Sequence, residues 1–530
     1  MNEKLLLLAD EAIAQAAIDA GISGVYAYPG TPSTEITEYI QASEEASSLK
    51  IRSEWSANEK TAYEAALGMS YAGKRTLVCM KHVGLNVAAD VFVNSAITGV
   101  NGGLVLLVAD DPSMHSSQNE QDSRFYAKFA LVPLFEPSNQ QEAYDIVYQS
   151  FEFSEKYSVP VLIRITTRLA HSRAGVERRP LKPQNNLHLP SDSKQFVLLP
   201  AIARQRYKLL LGNQKAFETE ALHSSFNQFF DAEDKSIGII ACGIAYNYLQ
   251  ENYTDGIVPY PVLKICQYPI SRELISLVYD ECDEILVLED GFPFVEEQLR
   301  GIMGRGTRVH GRMDGILPKD GELTPDNVSY ALGIKKETPL PIPSIVANRP
   351  PSLCKGCAHI DIYNALNESL ADYSKGRVFS DIGCYTLGAL PPFNAIYSCV
   401  DMGASITMAK GASDAGLFPA VAVIGDSTFT HSGMTGLLDA VNDQSDITLV
   451  ICDNSTTGMT GGQKSSASGR IEQICLGLGV EREHLINLVP LIKNHEENVA
   501  IFKRELEYKG LSVIIGKREC IQTLAKKHRK

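Results

Sequence analysis

The run Ala420-Val-Ala-Val-Ile-Gly425 is apolar throughout, ends on a glycine and hands the chain to Asp426, and Asp446-Ile-Thr-Leu-Val-Ile-Cys-Asp453 likewise hands it to Asn454. Uninterrupted apolar runs of this kind are strands buried on both faces, which requires a parallel sheet covered by helices. Between them, Gly433-Met-Thr-Gly-Leu-Leu-Asp-Ala-Val-Asn442 carries the apolar spacing of a helix. The unit is therefore βαβ, and its two oxygen-bearing side chains leave neighbouring strand ends. A helix start offers free N–H groups and the positive end of its dipole to a diphosphate. Mg²⁺ takes oxygen ligands in an octahedron completed by phosphate and water, so Asp426, Asn454 and a backbone carbonyl near Thr456 suffice as the protein's share. A lone Gly425-Asp426-Ser427 triplet is an ordinary strand-to-loop turn. With strand, helix, strand and Asn454 in register, the spacing is that of a grip for thiamine diphosphate and Mg²⁺.

The rest of the chain keeps the α/β alternation. Residues 1–185 open with the helix-like Asp10–Ile18 and continue with strand-like runs at 24–28, 76–80, 103–109 and 159–165, the pattern of a doubly wound parallel sheet. A polar, proline-bearing stretch from Arg178 to Lys194 reads as a linker. Residues 195–340 form another α/β unit, with strand-like runs at 236–241 and 284–289 about a helix near 245–251 and no cluster of catalytic residue types. The proline-rich segment 338–351 is extended and stiff, and marks a second boundary. Residues 352–530 form the third α/β domain, which holds the grip. A chain of 530 residues exceeds one core and fits three domains of ordinary size.

A formal net charge of −14 argues against a nucleic-acid surface, and the short basic end Lys526–Lys530 reads as a solvated tail. Leu5–Leu8 is cut off by Asp10 and Glu11, too soon for a leader or a membrane span, and no other segment approaches about 18 uninterrupted apolar residues, so a cytoplasmic protein without membrane contact is expected. Eleven cysteines in that compartment are ligands or packing residues rather than disulfides. Cys79, Cys242, Cys266, Cys282, Cys399 and Cys452 stand singly in apolar or strand-like contexts and read as small buried hydrophobes. Cys354-Lys-Gly-Cys357 can chelate, and Cys384 at the end of the next strand can close on the same centre. A [4Fe–4S] cluster needs a fourth thiolate, for which Cys475, in a helical and inward-facing context, is the downstream candidate. A zinc site, a redox dithiol and plain packing compete with this reading. Zinc is disfavoured because no second cysteine or histidine pair completes it.

Tyr28-Pro-Gly-Thr-Pro-Ser-Thr-Glu35, Glu54-Trp-Ser-Ala-Asn-Glu-Lys60, Met80-Lys-His-Val-Gly-Leu-Asn-Val-Ala-Ala-Asp90 and the segment Asp110–Asp122 resemble signatures of the indolepyruvate:ferredoxin oxidoreductase α subunit. So do Cys354–His359, Asp381-Ile-Gly-Cys-Tyr-Thr-Leu-Gly388, the segment Cys399–Ser405 and Gly425-Asp-Ser-Thr-Phe-Thr-His-Ser-Gly433. The family is one of thiamine-dependent enzymes that convert a 2-oxo acid, coenzyme A and oxidised ferredoxin to acyl-CoA, CO₂ and reduced ferredoxin. The resemblance implies three doubly wound domains: pyrimidine-binding (1–185), transketolase-C-terminal-like (195–340) and diphosphate- and Mg²⁺-binding (352–530). It also implies a β subunit as partner and ferredoxin or a small iron–sulfur subunit as electron acceptor. This chain departs from the family's pattern twice. It stops at Lys530, where the family usually continues into a ferredoxin-like module with two four-cysteine sets, and Lys355 stands where Cys-Pro-Gly-Cys is common.

By the same resemblance Glu59 holds the N1′ position of the aminopyrimidine, with a helix-start carboxylate as its ordinary alternative. The cofactor is expected to lie across the first and third domains, touching Pro29, Gly30, Gly383, Tyr385, Gly403, Gly425, Ser427, Met459 and Thr460 besides the Mg²⁺ ligands Asp426, Asn454 and Thr456. Thr31 is the candidate for the substrate's carboxyl or keto oxygen, with a helix cap as its alternative. Lys81 is placed to meet a carboxylate and His431 to handle a proton. His82, His115 and His359 are weaker candidates, since a lone histidine is more often structural. The alternative function is a non-redox thiamine-dependent decarboxylase or carboligase, which would use Glu59 and the Mg²⁺ grip but no cluster.

Overall fold

The computed structural model describes residues 4–190, 195–253, 256–301, 308–334, 343–346, 351–399 and 401–529. Most of the proline-rich boundary (338–342 and 347–350), the end of the first linker (191–194), Val400 and Lys530 lie outside the described residues. The chain divides into two compact units, Met1–Leu340 and Pro341–Lys530.

The first unit's larger sheet contains Gly24–Ala27, Arg52–Trp55, Thr76–Lys81, Leu104–Asp110, Leu134–Phe135 and Val161–Thr166, every pairing among them parallel. Numbered along the chain, these six lie in the order 2-1-3-4-6-5. Alternate residues enter opposite cores. Leu77, Cys79, Val105 and Leu107 face one apolar cluster, and Val78, Met80, Leu106 and Val108 the other. Both faces are thus buried, as the unbroken apolar runs required. The opening leucines form a strand, Lys4–Leu8, paired antiparallel with Arg173–Glu177.

A second sheet in this unit is built from Gln228–Phe230, Ile237–Cys242, Val262–Ile265, Glu284–Leu288 and Val309–His310. The sequence suggested separate domains at 1–185 and 195–340, yet both sheets share one compact unit. Just beyond Val262–Ile265, Gln267–Tyr268 pairs antiparallel with Leu134–Phe135 at the edge of the first sheet. Arg124, fully buried, pairs with Asp122 and reaches Glu289 at 2.9 Å, and the equally buried Arg164 donates to the Asp290 carbonyl at 2.7 Å. The helix Pro200–Leu222 also packs toward the first sheet, with Arg206 donating to the Thr98 carbonyl at 2.7 Å and Phe217 in its core.

The second unit is a six-stranded sheet of Val378–Ser380, Ser398–Cys399, Ala420–Gly425, Ile447–Asp453, Leu485–Leu488 and Ser512–Lys517, parallel throughout. Its order along the chain is again 2-1-3-4-6-5. Ala420, Ala422 and Ile424 face one core, Val421 and Val423 the other. In this winding the first and third strands are neighbours whose connections leave in opposite directions, which opens a crevice beyond their carboxyl ends. The helix expected from Gly433 begins earlier, because Gly425 is extended (φ −86°, ψ 160°) and Asp426 already turns helical. Asp426–Thr428 leads into a single π-turn at Phe429–Gly433 and then Met434–Asn442. Such a turn carries one surplus residue and is frequent at functional sites.

Candidate active site

In the second unit, Asp426 stands at the crevice, at the start of this helix. It is 2% exposed and its Oδ2 has no hydrogen-bond partner. Burial pushes its carboxyl up to about 7, the neighbouring Asp453 adds to this, and hydrogen bonds from Ser465 and the Ser427 amide offset it only in part. A buried carboxylate oxygen without a partner is costly unless a cation completes it. Asn454, one strand over, has its Oδ1 held by the Thr456 amide at 3.1 Å. Thr456–Thr457 pairs antiparallel with Gln463–Lys464, so the loop that carries Met459 and Thr460 is a tight hairpin. Ser427 Oγ lies 3.0 Å from Thr457 Oγ1 and ties the helix start to this hairpin. Met459 is exposed at its tip, and Thr460 Oγ1 donates to Gln463 Oε1 at 2.5 Å. The donor set of carboxylate, amide oxygen and hairpin backbone fits Mg²⁺.

The crevice floor is tightly built. A Cβ on Gly425 would stand 2.5 Å from the Tyr385 ring, and one on Gly383 2.3 Å from it. Tyr385 is held at two points, its hydroxyl donating to Asp381 and its backbone carbonyl accepting from the Tyr363 hydroxyl at 2.6 Å. Asp381 Oδ2 also accepts from Ser405 Oγ at 2.6 Å, in the first turn of helix Ala404–Asp414. Gly403, just before that helix, has φ +97°, and a Cβ there would meet Ser432 at 2.7 Å. His431 lies in the π-turn, with Nδ1 2.7 Å from Ser432 Oγ.

Cys354, Cys357 and Cys384 line one cavity together with Asn454, Gly458 and His359. The fourth cysteine there is Cys520, not Cys475. Cys475 is fully buried in an apolar core with Ala467, Ile471 and Val480, so the inward-facing helix position that suggested it is a packing position. Cys520 follows the strand Ser512–Lys517, and its amide donates to the Asn454 carbonyl at 3.2 Å. The grip and the thiols are therefore adjoining parts of one strand-end surface, and a Cβ on Gly458 would stand 3.0 Å from Cys384 Sγ. Four thiols at one opening fit an iron–sulfur cluster. Burial pushes Cys384 up to about 12, the neighbouring thiols adding to it. His359 is fully buried with Nδ1 unpartnered, and burial lowers it to about 4, so it is neutral. Cys399 is exposed rather than buried, since its short strand lies at the sheet edge.

In the first unit, a second crevice lies beyond Gly24–Ala27 and Thr76–Lys81. Glu59 opens the helix Glu59–Tyr71, whose cap Asn58 accepts from the Thr61 amide at 2.8 Å. It is 5% exposed and pressed on Gly84, where a Cβ would meet Glu59 Oε1 at 2.6 Å. Lys81 lies over Gly30, its Cδ 3.3 Å from a Cβ built there, and donates to the Ser116 carbonyl at 3.0 Å. Burial lowers its pKa against the opposing pull of Asp111 and Glu59. Ser116 Oγ donates to the Thr31 carbonyl at 3.2 Å, and the Gly30 amide donates to Thr34 Oγ1 at 3.0 Å. Thr31, Lys81 and Ser116 thus share this crevice. Pro29 precedes Gly30 in the same loop. His82 is buried, with Nε2 3.3 Å from the Asn119 carbonyl, and desolvation lowers its pKa. His115 is half-exposed beside Glu322, 3.6 Å away.

Residues 15–217 match the family described as pyruvate flavodoxin/ferredoxin oxidoreductase, thiamine-diphosphate-binding, and residues 381–514 match the thiamine pyrophosphate enzyme, C-terminal TPP-binding domain. The chain is 39% identical over 549 residues to indolepyruvate oxidoreductase subunit IorA of Archaeoglobus fulgidus, covering 98% of this chain and 87% of that one. Against the subunits of the same name from Methanothermobacter thermautotrophicus and Pyrococcus abyssi it is 37% identical, covering 98% of this chain and 87% and 86% of theirs.

Proposed function

Because the chain belongs to the indolepyruvate oxidoreductase IorA family of thiamine-dependent 2-oxoacid oxidoreductases, we propose that it oxidatively decarboxylates an aryl pyruvate of the indolepyruvate type with coenzyme A, yielding acyl-CoA, CO₂ and reduced ferredoxin. The observation that carries the site assignment is the partnerless buried oxygen of Asp426 beside a four-thiol cavity that Asn454 also lines.

Thiamine diphosphate, when bound, supplies the nucleophilic carbon and electron sink that let a 2-oxo acid lose CO₂. Asp426 and Asn454 would hold Mg²⁺ against its diphosphate, with the hairpin at Thr456 as the third contact and the Asp426 helix start as the anion site. Glu59 would hold a proton at the aminopyrimidine ring nitrogen, its carboxylate fixed by the Gly84 contact. Lys81 would attract the substrate carboxylate, with Thr31 beside it as the polar contact to the substrate. Cys354, Cys357, Cys384 and Cys520 would hold a [4Fe–4S] cluster that accepts electrons singly, and Gly458 keeps its backbone close to Cys384. The thiol cavity favours this redox reading over the non-redox decarboxylase. Its partners would be a β subunit and a ferredoxin or small iron–sulfur subunit. The cytoplasm, where free thiols stay reduced, would be its compartment.

The test is anaerobic purification with the β subunit, followed by iron and sulfide analysis and an assay of indolepyruvate with coenzyme A and ferredoxin. Substrate-dependent, coenzyme-A-dependent ferredoxin reduction by iron-containing protein is expected. Iron-free protein that decarboxylates without an electron acceptor would establish the non-redox reading instead.

A further inference from the structure

Among the described residues, one group of three metal-ligating side chains stands apart from the crevices already described. Asp10 lies in the first turn of helix Ala9–Asp19, Glu35 in the first turn of helix Thr34–Ala42, and His171 directly after the short helix Thr167–Ala170. One carboxylate oxygen from each acid and one imidazole nitrogen all lie within 4.8 Å of one another. Asp10 is fully buried, and neither of its carboxylate oxygens has a hydrogen-bond partner. Glu35 Oε2 is also buried and unpartnered.

The cations nearby leave Asp10 uncompensated. Arg173 reaches Glu11 at 3.3 Å, and Glu11 also accepts from the Leu8 amide at 2.8 Å. His171 Nε2 approaches Glu35 Oε1 only to 3.6 Å. Two helix starts favour the two anions, but a dipole does not satisfy a buried oxygen that lacks a donor. A proton or a cation can. A metal ion bonded at about 2.0–2.2 Å holds its ligand atoms roughly 3–4.4 Å apart, which matches a group gathered within 4.8 Å.

We propose that Asp10, Glu35 and His171 form a second metal site, separate from the Asp426 grip, for a divalent first-row transition ion such as Mn²⁺ or Zn²⁺. The mixed carboxylate and imidazole donors suit these ions, whereas Mg²⁺ and Ca²⁺ prefer oxygen alone. Glu35 and His171 are each about one-third exposed as side chains (36% and 37%), so an ion can enter from solvent and keep water in its remaining positions. Once bound, it would join the starts of two helices to the turn after Ala170.

The test uses the full chain with its partner subunit, stripped with chelator and then titrated with Mn²⁺ in the presence of excess Mg²⁺ and thiamine diphosphate. Bound Mn²⁺ is counted by electron paramagnetic resonance in the wild type, Asp10→Asn and His171→Ala, with circular dichroism confirming that each is folded. Each variant is expected to bind one Mn²⁺ fewer than the wild type. The wild type should show an imidazole nitrogen coupling that His171→Ala lacks, and Mn²⁺ should raise the melting temperature of the wild type more than that of either variant. Equal stoichiometry in all three proteins, or a bound ion whose nitrogen coupling survives His171→Ala, would overturn the site. Because the count is a difference at residues outside the Asp426 grip, it is independent of whether the thiamine reading holds.

Discussion

Replacing Asp426 by Asn separates what this carboxylate does to the bare fold from what it does for the cofactor. In the metal-free protein its carboxyl sits at about 7 against an ordinary 3.8. An acid whose folded pKa is raised binds its proton more tightly folded than unfolded, so the fold is penalised as pH rises from about 4, and the penalty is complete above about 7. The gap corresponds to about 4 kcal/mol at pH 8. Asn removes the charge but brings amide groups to the same dry position, where an unmet hydrogen bond costs about 1–3 kcal/mol. The metal-free variant is therefore expected to be more stable than the wild type by about 1–3 kcal/mol at pH 8, an advantage that shrinks as pH falls and turns into a deficit of about 1–3 kcal/mol near pH 4, where only the amide cost remains. Denaturant titrations in chelator at the two pH values measure this, and calorimetry with Mg²⁺ and thiamine diphosphate should show binding weakened at least tenfold. A variant that is destabilised equally at both pH values, or that binds the cofactor like the wild type, would refute the reasoning.

Four further outcomes are expected. Cys520→Ala should lose most of its iron and the reduced-cluster resonance signal, whereas Cys475→Ala should keep both and lose only about 1–2 kcal/mol of stability from the cavity it leaves; iron and sulfide analysis with chemical denaturation distinguishes them. Glu59→Gln should lower turnover by about 10²–10⁴-fold while the fold persists. Gly84→Ala, which drives a methyl to 2.6 Å from Glu59 Oε1, should lower turnover in the same direction but less, as read in steady-state kinetics. Arg124→Met should destabilise the first unit by about 3–5 kcal/mol in thermal or denaturant melts, because it leaves the buried Asp122 and Glu289 carboxylates without their shared partner.

The second unit's site was legible in the sequence wherever chemistry follows directly from a strand end. Asp426 and Asn454 follow strand-like runs rich in apolar residues, and those runs are neighbouring parallel strands. Cys520 escaped because the strand Ser512–Lys517 was not singled out and because its place among the other thiols depends on lying beside Asn454, a contact between distant parts of the chain. The strand-end logic that found Cys384 would have found it had that strand been recognised. Cys475 misled because an inward-facing helical position looks alike whether it meets a cofactor or a core. The polar linker between 1–185 and 195–340 was visible in the sequence, but the pairing of Gln267–Tyr268 with Leu134–Phe135, which brings their sheets into one compact unit, was not. Asp10 carries no motif at all. It reads as an ordinary helix-start acid until Glu35 and His171 are seen beside it.

The π-turn at Phe429–Gly433 has a consequence for how this enzyme can be altered. Its surplus residue sits between two stretches with different duties, Asp426–Thr428 at the crevice and Met434–Asn442, whose Leu437 and Ala440 are locked in the core. Deleting one residue here would restore regular winding and swing Asp426 about 100° around the axis relative to the anchored half. The bulge acts as a phase adjuster, setting the angular aim of the crevice residues independently of the packing downstream. Length changes within this short window are therefore a route to retuning the site that side-chain substitution cannot reach.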